Sequence, residues 1–251
     1  MRLVGKPAFR RRRYPLLGAS RLQRLLDAAQ VLQYDRHGIK VAQLPSGAVV
    51  KLFRRQRRLS SAAWAPAAQR FVNNAAALAR LGIPTVQVRR LFYCPERARY
   101  GVIYRPLVGS VLRESLSTPA RDADWNVLAR FVAELHQRGV YFRSLHSGNV
   151  VCLPGGGFGL IDVADLRVST ARLGVLRRAR NLRPLLRDTS ARSLHSRQVF
   201  GDFLGAYLAA AGLAGTSRRL LHNLAWRQWR RASAQSSVDS GSDSTSASGM
   251  R

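Results

Sequence analysis

The sequence predicts an α+β protein of two lobes, the first rich in strands and the second rich in helices. Three observations lead there. Short strand-like runs separated by Gly- and Pro-containing turns dominate residues 33–104, broken by one helical stretch. From Asp124 onward helical periodicity takes over, interrupted by a loop and a second hairpin pattern. The length of 251 residues suits one domain with a real core, or two lobes working together. The expected boundaries are a basic arm over 1–19, an N-terminal lobe over 20–106, a C-terminal lobe over 107–231 and a disordered Ser-rich tail over 232–251.

The arm carries Arg10, Arg11, Arg12 and Arg13 with no apolar run after them, so no secretory signal is expected. From Arg21 the positions Leu22, Leu25, Leu26 and Ala29 keep helical spacing. Gln33 to Phe53 predicts two or three strands, with Pro45-Ser46-Gly47 as a hairpin turn. Ala62 to Leu81 predicts a helix closed by Gly82 and Pro84. Val86 to Phe92 and Tyr100 to Tyr104 predict a further strand pair, followed by a loop, Pro106 to Gly109, suited to a hinge. Asp124 to Gly139 is an amphipathic helix with Leu128, Phe131, Val132 and Leu135 on one face. A loop over Val140 to Val151, a Gly-rich turn and the apolar strand Phe158 to Val163 come next. Helices are expected over Leu173 to Leu186, Arg197 to Ala211 and Ser217 to Arg231.

Composition narrows the classes. The formal charge of +29 implies an anionic partner: nucleic acid, a phospholipid surface or a phosphorylated glycolipid. Of 42 basic residues only Lys6, Lys40 and Lys51 are lysines, the pattern of a GC-rich genome. A lysine that persists in such a chain marks a place where arginine does not serve. The two cysteines, Cys94 and Cys152, have neither metal-ligand spacing nor the density of a disulfide scaffold, and a cytoplasmic location is expected. No uncharged apolar stretch reaches the ~20 residues of a spanning helix.

Three places in the chain can carry chemistry. Lys51 is the one charge in the apolar strand Ala48-Val49-Val50-Lys51-Leu52-Phe53. The run Val140-Tyr141-Phe142-Arg143-Ser144-Leu145-His146-Ser147-Gly148-Asn149 follows an amphipathic helix and precedes a hairpin. Leu160-Ile161-Asp162-Val163 then puts a carboxylate at the end of an apolar strand. Phosphoryl transfer from ATP asks for such parts: a strand lysine on the phosphates, a carboxylate and an amide oxygen on Mg²⁺, and a group guiding the acceptor hydroxyl.

Taken in order, these segments resemble the catalytic loop H-R-D-L-x-x-x-N and metal motif D-F-G of protein kinases. The small-molecule variant H-x-D-L-H-x-G-N is closer, because His146, Gly148 and Asn149 match it. From roughly residue 30 to 210 the chain is similar to the Kdo/heptose lipopolysaccharide kinases, and within them to the pseudomonad-type branch called toluene tolerance proteins. The resemblance implies a bilobal protein-kinase-like fold, with ATP and Mg²⁺ as cofactors. It implies Lys51 and Asn149 as nucleotide-binding residues and Asp162 with Asn149 as metal ligands. Arg143, Ser144 and His146 become the catalytic-loop candidates. The implied acceptor is a sugar hydroxyl of an anionic glycolipid, lipopolysaccharide core, at the cytoplasmic face of the inner membrane.

The chain departs from that pattern at several points. Ser144 stands where the catalytic aspartate belongs, and Phe142 where the preceding histidine does. No acidic residue lies between Asp35 and Glu96, so Asn73 or Asn74 takes the place of the carboxylate expected to pair with the strand lysine. No Gly-rich phosphate loop is visible beyond Gly38. A slow enzyme is compatible with the loss, since a general base is worth ~10²–10⁴-fold. His146 is expected to replace the base if its ring turns toward the substrate. A pseudokinase, of the same fold and acting as a binding or regulatory module, is a second reading. A basic nucleic-acid-binding protein is a third, without any helix-turn-helix, zinc or RNA-binding signature behind it. Arginine clusters at 54–58, 177–180 and 227–231 favour phosphate contact, and Trp226 and Trp229 are expected at lipid headgroups on the last helix.

Overall fold

The computed structural model describes residues 14–54, 66–116 and 124–242. It divides into two compact units. The first comprises the described residues up to Gln69 together with Val88–Arg105, and the second Arg70–Gln87 together with everything from Pro106. An N-terminal sheet and a helical C-terminal region make it α+β, as the sequence predicts.

The first unit is a five-stranded sheet in the order β1-β2-β3-β5-β4, formed by Gln30–Asp35, Gly38–Gln43, Val49–Arg54, Arg99–Arg105 and Gln87–Cys94 respectively. The pairs β1–β2, β2–β3 and β3–β5 are antiparallel. Helix α1 (Ala19–Asp27) covers one face, joining Leu22 and Leu26 to Val50, Leu52 and Phe92 in a shared core. The alternation of a strand puts Val49, Lys51 and Phe53 on the other face. Lys51 lies opposite Val41 and Val102, is only 6% exposed, and holds its ammonium 5.8 Å from the centre of the Phe53 ring. Gly101 is required where it stands. A Cβ there would meet the Phe92 ring at 2.0 Å.

The second unit packs α4 (Trp125–Gln137) along α6 (Arg197–Ala210), and α5 (Val175–Leu186) along α7 (Gly215–Ser242). Asp124 caps α4, its carboxylate accepting from the Asn126 and Val127 N–H groups at 2.9 and 3.0 Å. Gly139 ends the helix at φ +74°, pressed against the Ser169 carbonyl. Short strands then frame the loop of interest: β7 (Val140–Phe142) pairs with β10 (Leu166–Val168), and β8 (Val150–Cys152) pairs with β6 (Ser110–Val111) and β9 (Phe158–Leu160). A short helix, α3 (Leu112–Leu116), follows β6.

Two expected boundaries move. The arm of 1–19 ends early: beyond 1–13, which lie outside the described residues, Pro15 and Leu17 bond to Tyr93 on β4 and Leu17 is buried. The tail of 232–251 starts late, because α7 runs on to Ser242, with Ala232 buried; residues 243–251 lie outside the described residues. Arg70–Gln87 cluster with the second unit, although they precede Pro106 in sequence. The cause is hydrogen bonding. From α2 (Ala67–Arg80), Asn74 donates to the Val163 and Leu166 carbonyls at 2.7 and 2.8 Å. Just beyond, Thr85 Oγ1 donates to the Leu160 carbonyl and Leu160 N–H to that of Pro84.

Candidate active site

The second unit gathers most of the residues singled out in the sequence around one loop. Asn149 ends a 3-10 turn (Ser147–Asn149) directly before β8, and Asp162 follows β9 by two residues. Val150 pairs with Leu160, and the Ile161 N–H donates to the Asn149 carbonyl at 3.0 Å. The hairpin therefore brings Asn149 and Asp162 together although twelve residues lie between them. Asp162 sits at φ +53°, ψ +44°, a left-handed conformation that is uncommon for a residue other than glycine.

The Asn149 amide is fixed from within the loop. Its Nδ2 donates to the Ser144 carbonyl at 2.9 Å and contacts His146 Nε2 at 3.1 Å. With both donors engaged, Oδ1 is left as an oxygen ligand on the opposite side of the amide. The same contact defines His146. Since Nε2 accepts, the proton of the neutral ring resides on Nδ1, which is buried without a hydrogen-bond partner. Burial and the Arg113 cation lower the His146 pKa, against the pull of Asp188 and Asp162. The basic lone pair expected to serve as a catalytic base is thus already occupied. Ser144 is half-buried, and Arg143 is exposed.

Behind the loop stands Asp188, which sequence reasoning missed. Its carboxylate accepts from the Ser147 N–H at 2.6 Å and the Ser190 N–H at 3.1 Å, and lies 3.8 Å from the Arg113 guanidinium. Burial alone would raise its pKa; the hydrogen bonds from Ser147 and Ser190 and the Arg113 charge hold it below the usual carboxylate value. Arg113 in turn lies over Gly148, where a Cβ would come within 3.1 Å of the guanidinium carbon. A sequence signal existed. Asp188 is the one acid between Asp165 and Asp202, in a stretch crowded with arginine.

A second support holds the start of the loop. Asn181 Oδ1 accepts the Phe142 N–H at 3.1 Å, and its Nδ2 donates to the Phe142 carbonyl. Asn181 Oδ1 also receives His136 Nε2 at 3.1 Å, which leaves His136 Nδ1 to accept from the Tyr207 hydroxyl at 2.6 Å. One tautomer satisfies the whole chain. Burial pushes His136 down to about 3 and Tyr207 up to about 12.

Lys51, the remaining candidate, belongs to the first unit, buried on β3 as described above. Asn74, one of two residues expected in place of a carboxylate partner for it, spends its amide on backbone carbonyls of the second unit instead. Trp226 and Trp229, expected at headgroups, are half-buried against Phe200. Trp229 stacks on Phe200 at 5.6 Å and 7°, its indole N–H bonded to the Leu194 carbonyl, and Trp226 meets the same ring edge-on at 4.9 Å.

Among the described residues no three His, Cys, Asp or Glu side chains form a metal-holding group. No helix among them is long and apolar enough to cross a membrane. No family model matches the chain, and no curated protein does. Among solved structures, the co-crystal structure of WbdD with the kinase inhibitor LY294002 is similar over 78% of this chain at 13% identity and a TM-score of 0.47. The chain spans 44% of the length of that protein.

Proposed function

We propose that the chain is an ATP-dependent phosphotransferase of protein-kinase-like fold, acting on a hydroxyl group. The observation that carries the reading is the pairing of Asn149 with Asp162. The amide, held by the Ser144 carbonyl and His146, and the carboxylate, set at a left-handed corner, are two hard oxygen donors brought together by one hairpin. Mg²⁺ takes oxygen ligands, commonly one or two from protein with phosphate and water completing the shell, so this donor set fits it. When bound, Mg²⁺ supplies charge neutralisation on the transferring phosphoryl group.

The chain's own residues divide the remaining work. Lys51 offers a compact, desolvated cation to the nucleotide phosphates, the role for which an ammonium differs from a guanidinium. Asn149 and Asp162 fix the metal, and Ser144 orients the acceptor hydroxyl. Asp188 and Asn181 keep the loop in one conformation. With His146 Nε2 occupied and no aspartate at 144, proton removal is left to solvent, and the rate comes from positioning and charge. The motif resemblance to lipopolysaccharide kinases supplies the acceptor class: a core sugar of an anionic glycolipid, approached from the cytoplasmic side.

The absence of a free base favours one competing reading, a pseudokinase that binds nucleotide without transferring it. Purified protein with labelled ATP and Mg²⁺, with and without extracted lipopolysaccharide core, separates the two. Label appearing in the core supports the enzyme. Nucleotide binding with zero transfer, in wild type and in Ser144→Asp alike, supports the pseudokinase.

A further inference from the structure

The second unit carries a surface that phosphoryl transfer does not use. From Leu166 to Arg187, and again from Phe203 to Val238, the chain holds no acidic residue. These stretches contain α5 and α7 as far as Val238, and the two helices pack against one another. Arg178 Nη1 donates to the Ala211 carbonyl just ahead of α7. At the other end, His195 bonds to the Leu186 carbonyl and Trp229 to that of Leu194. The helices therefore lie side by side and run in the same sense.

Each turns one arginine stripe outward. On α5 the exposed positions include Leu176, Arg177, Arg180 and Arg183; on α7 they include Arg219, Leu220, Arg227 and Arg230. Among the described residues no carboxylate pairs with these arginines. Each stripe also exposes one large apolar side chain, Leu176 at 69% and Leu220 at 48%. We propose that the outward faces of α5 and α7 dock this protein on an anionic lipid bilayer.

Charge alone would suit a nucleic acid equally well. Two observations favour lipid. Leucines inside an arginine stripe gain by entering the apolar boundary below the headgroups, whereas a phosphate backbone leaves them wet. The stripes present no fully exposed Trp, Tyr or Phe ring of the kind that stacks on bases in single-strand binders, because Trp226 and Trp229 are half-buried against Phe200. The inference is independent of the phosphotransferase reading.

The test is co-sedimentation of the full chain, at physiological ionic strength, with vesicles of phosphatidylcholine alone or mixed with phosphatidylglycerol. Binding to a DNA duplex is measured in parallel. Wild type is expected to pellet with the mixed vesicles only. Arg180→Glu combined with Arg227→Glu should weaken that binding by at least about tenfold. The same reversals at exposed Arg89 and Arg90 on β4 should change it little. Leu176→Ser with Leu220→Ser should weaken vesicle binding and leave DNA binding unaltered. Equal losses from the β4 and helix reversals would reduce the effect to net charge and overturn the proposal. So would binding to DNA without binding to anionic vesicles, or failure to bind either.

Discussion

Asn181 bonds both backbone groups of Phe142, accepting from its N–H and donating to its carbonyl. One side chain on α5 therefore replaces the strand partner that β7 lacks on that side. In Asn181→Ala the Phe142 N–H and the His136 N–H are left buried with no partner, and the Phe142 carbonyl keeps only the Leu145 N–H at 3.2 Å. A cost of about 2–4 kcal/mol is expected, read as a lower urea midpoint at unchanged slope.

His136 gives this protein an acid sensitivity of its own. Its pKa falls from the ordinary 6.5 to about 3 on folding, through burial first. Between those values the unfolded chain binds the extra proton, so stability drops as pH falls below roughly 6.5, by up to ~1.4 kcal/mol per pH unit. Urea titrations of wild type and His136→Gln across that range should show the slope in wild type and a smaller one in the variant.

Asp188 acts at lower pH, in a separable window. Its folded pKa is depressed, so its contribution is complete above the unfolded value of roughly 4 and fades as pH falls through the folded value. Asp188→Asn keeps an acceptor for the Ser147 N–H and loses the Arg113 attraction. The variant should fold, lose the wild-type decline in stability below pH ~4, and show weaker Mg²⁺-nucleotide binding because the loop bearing Asn149 is less firmly held. Unchanged nucleotide affinity would confine Asp188 to stability.

Saturating Mg²⁺-ATP is expected to raise the melting temperature, as a ligand bound only by the folded state must. Asp162→Ala should remove the Mg²⁺ dependence of that shift. Lys51→Arg should weaken nucleotide binding despite the retained charge, because the planar guanidinium does not fit where a point charge is buried. Differential scanning fluorimetry with ATP, with and without Mg²⁺, reads all three proteins.

At Ser144 the expected result is a loss. The Ser144 carbonyl already accepts from the Asn149 amide and the His146 N–H, so the loop is built around this residue. Ser144→Asp adds a carboxylate to a loop whose neighbourhood already holds Asp162 and Asp188, and like charges should disturb nucleotide binding. A gain in turnover toward the ~10²–10⁴-fold worth of a general base would instead reveal a kinase loop missing only its aspartate.

Periodicity and turn chemistry made much of the fold legible. The Pro45-Ser46-Gly47 hairpin, the Asp124 cap and the Gly82 and Gly139 helix ends all appear where local rules place them. What sequence could not supply were the long-range hydrogen bonds. Asn74 as an anchor for the Val163 and Leu166 carbonyls has no local pattern, and neither does Asn181 as a partner for Phe142. The packing of the tryptophans was not legible either, because an Arg/Trp helix has the same composition whether its rings are open or half-covered by a phenylalanine. Only the position of Phe200 on α6 decides it. The short elements β6, β10 and α3 carry too few residues for a period to show.

The membership of Arg70–Gln87 in the second unit means that no single peptide bond separates the two units. The chain leaves the first unit after Gln69, returns to it at Val88 and leaves again after Arg105. A fragment beginning at Pro106 would contain the whole candidate loop but strand it. Leu160 would lose Pro84 and Thr85, and the Val163 and Leu166 carbonyls would lose Asn74. Synthesis of the second unit therefore begins before the first is finished, and neither unit is encoded by one uninterrupted stretch of the gene.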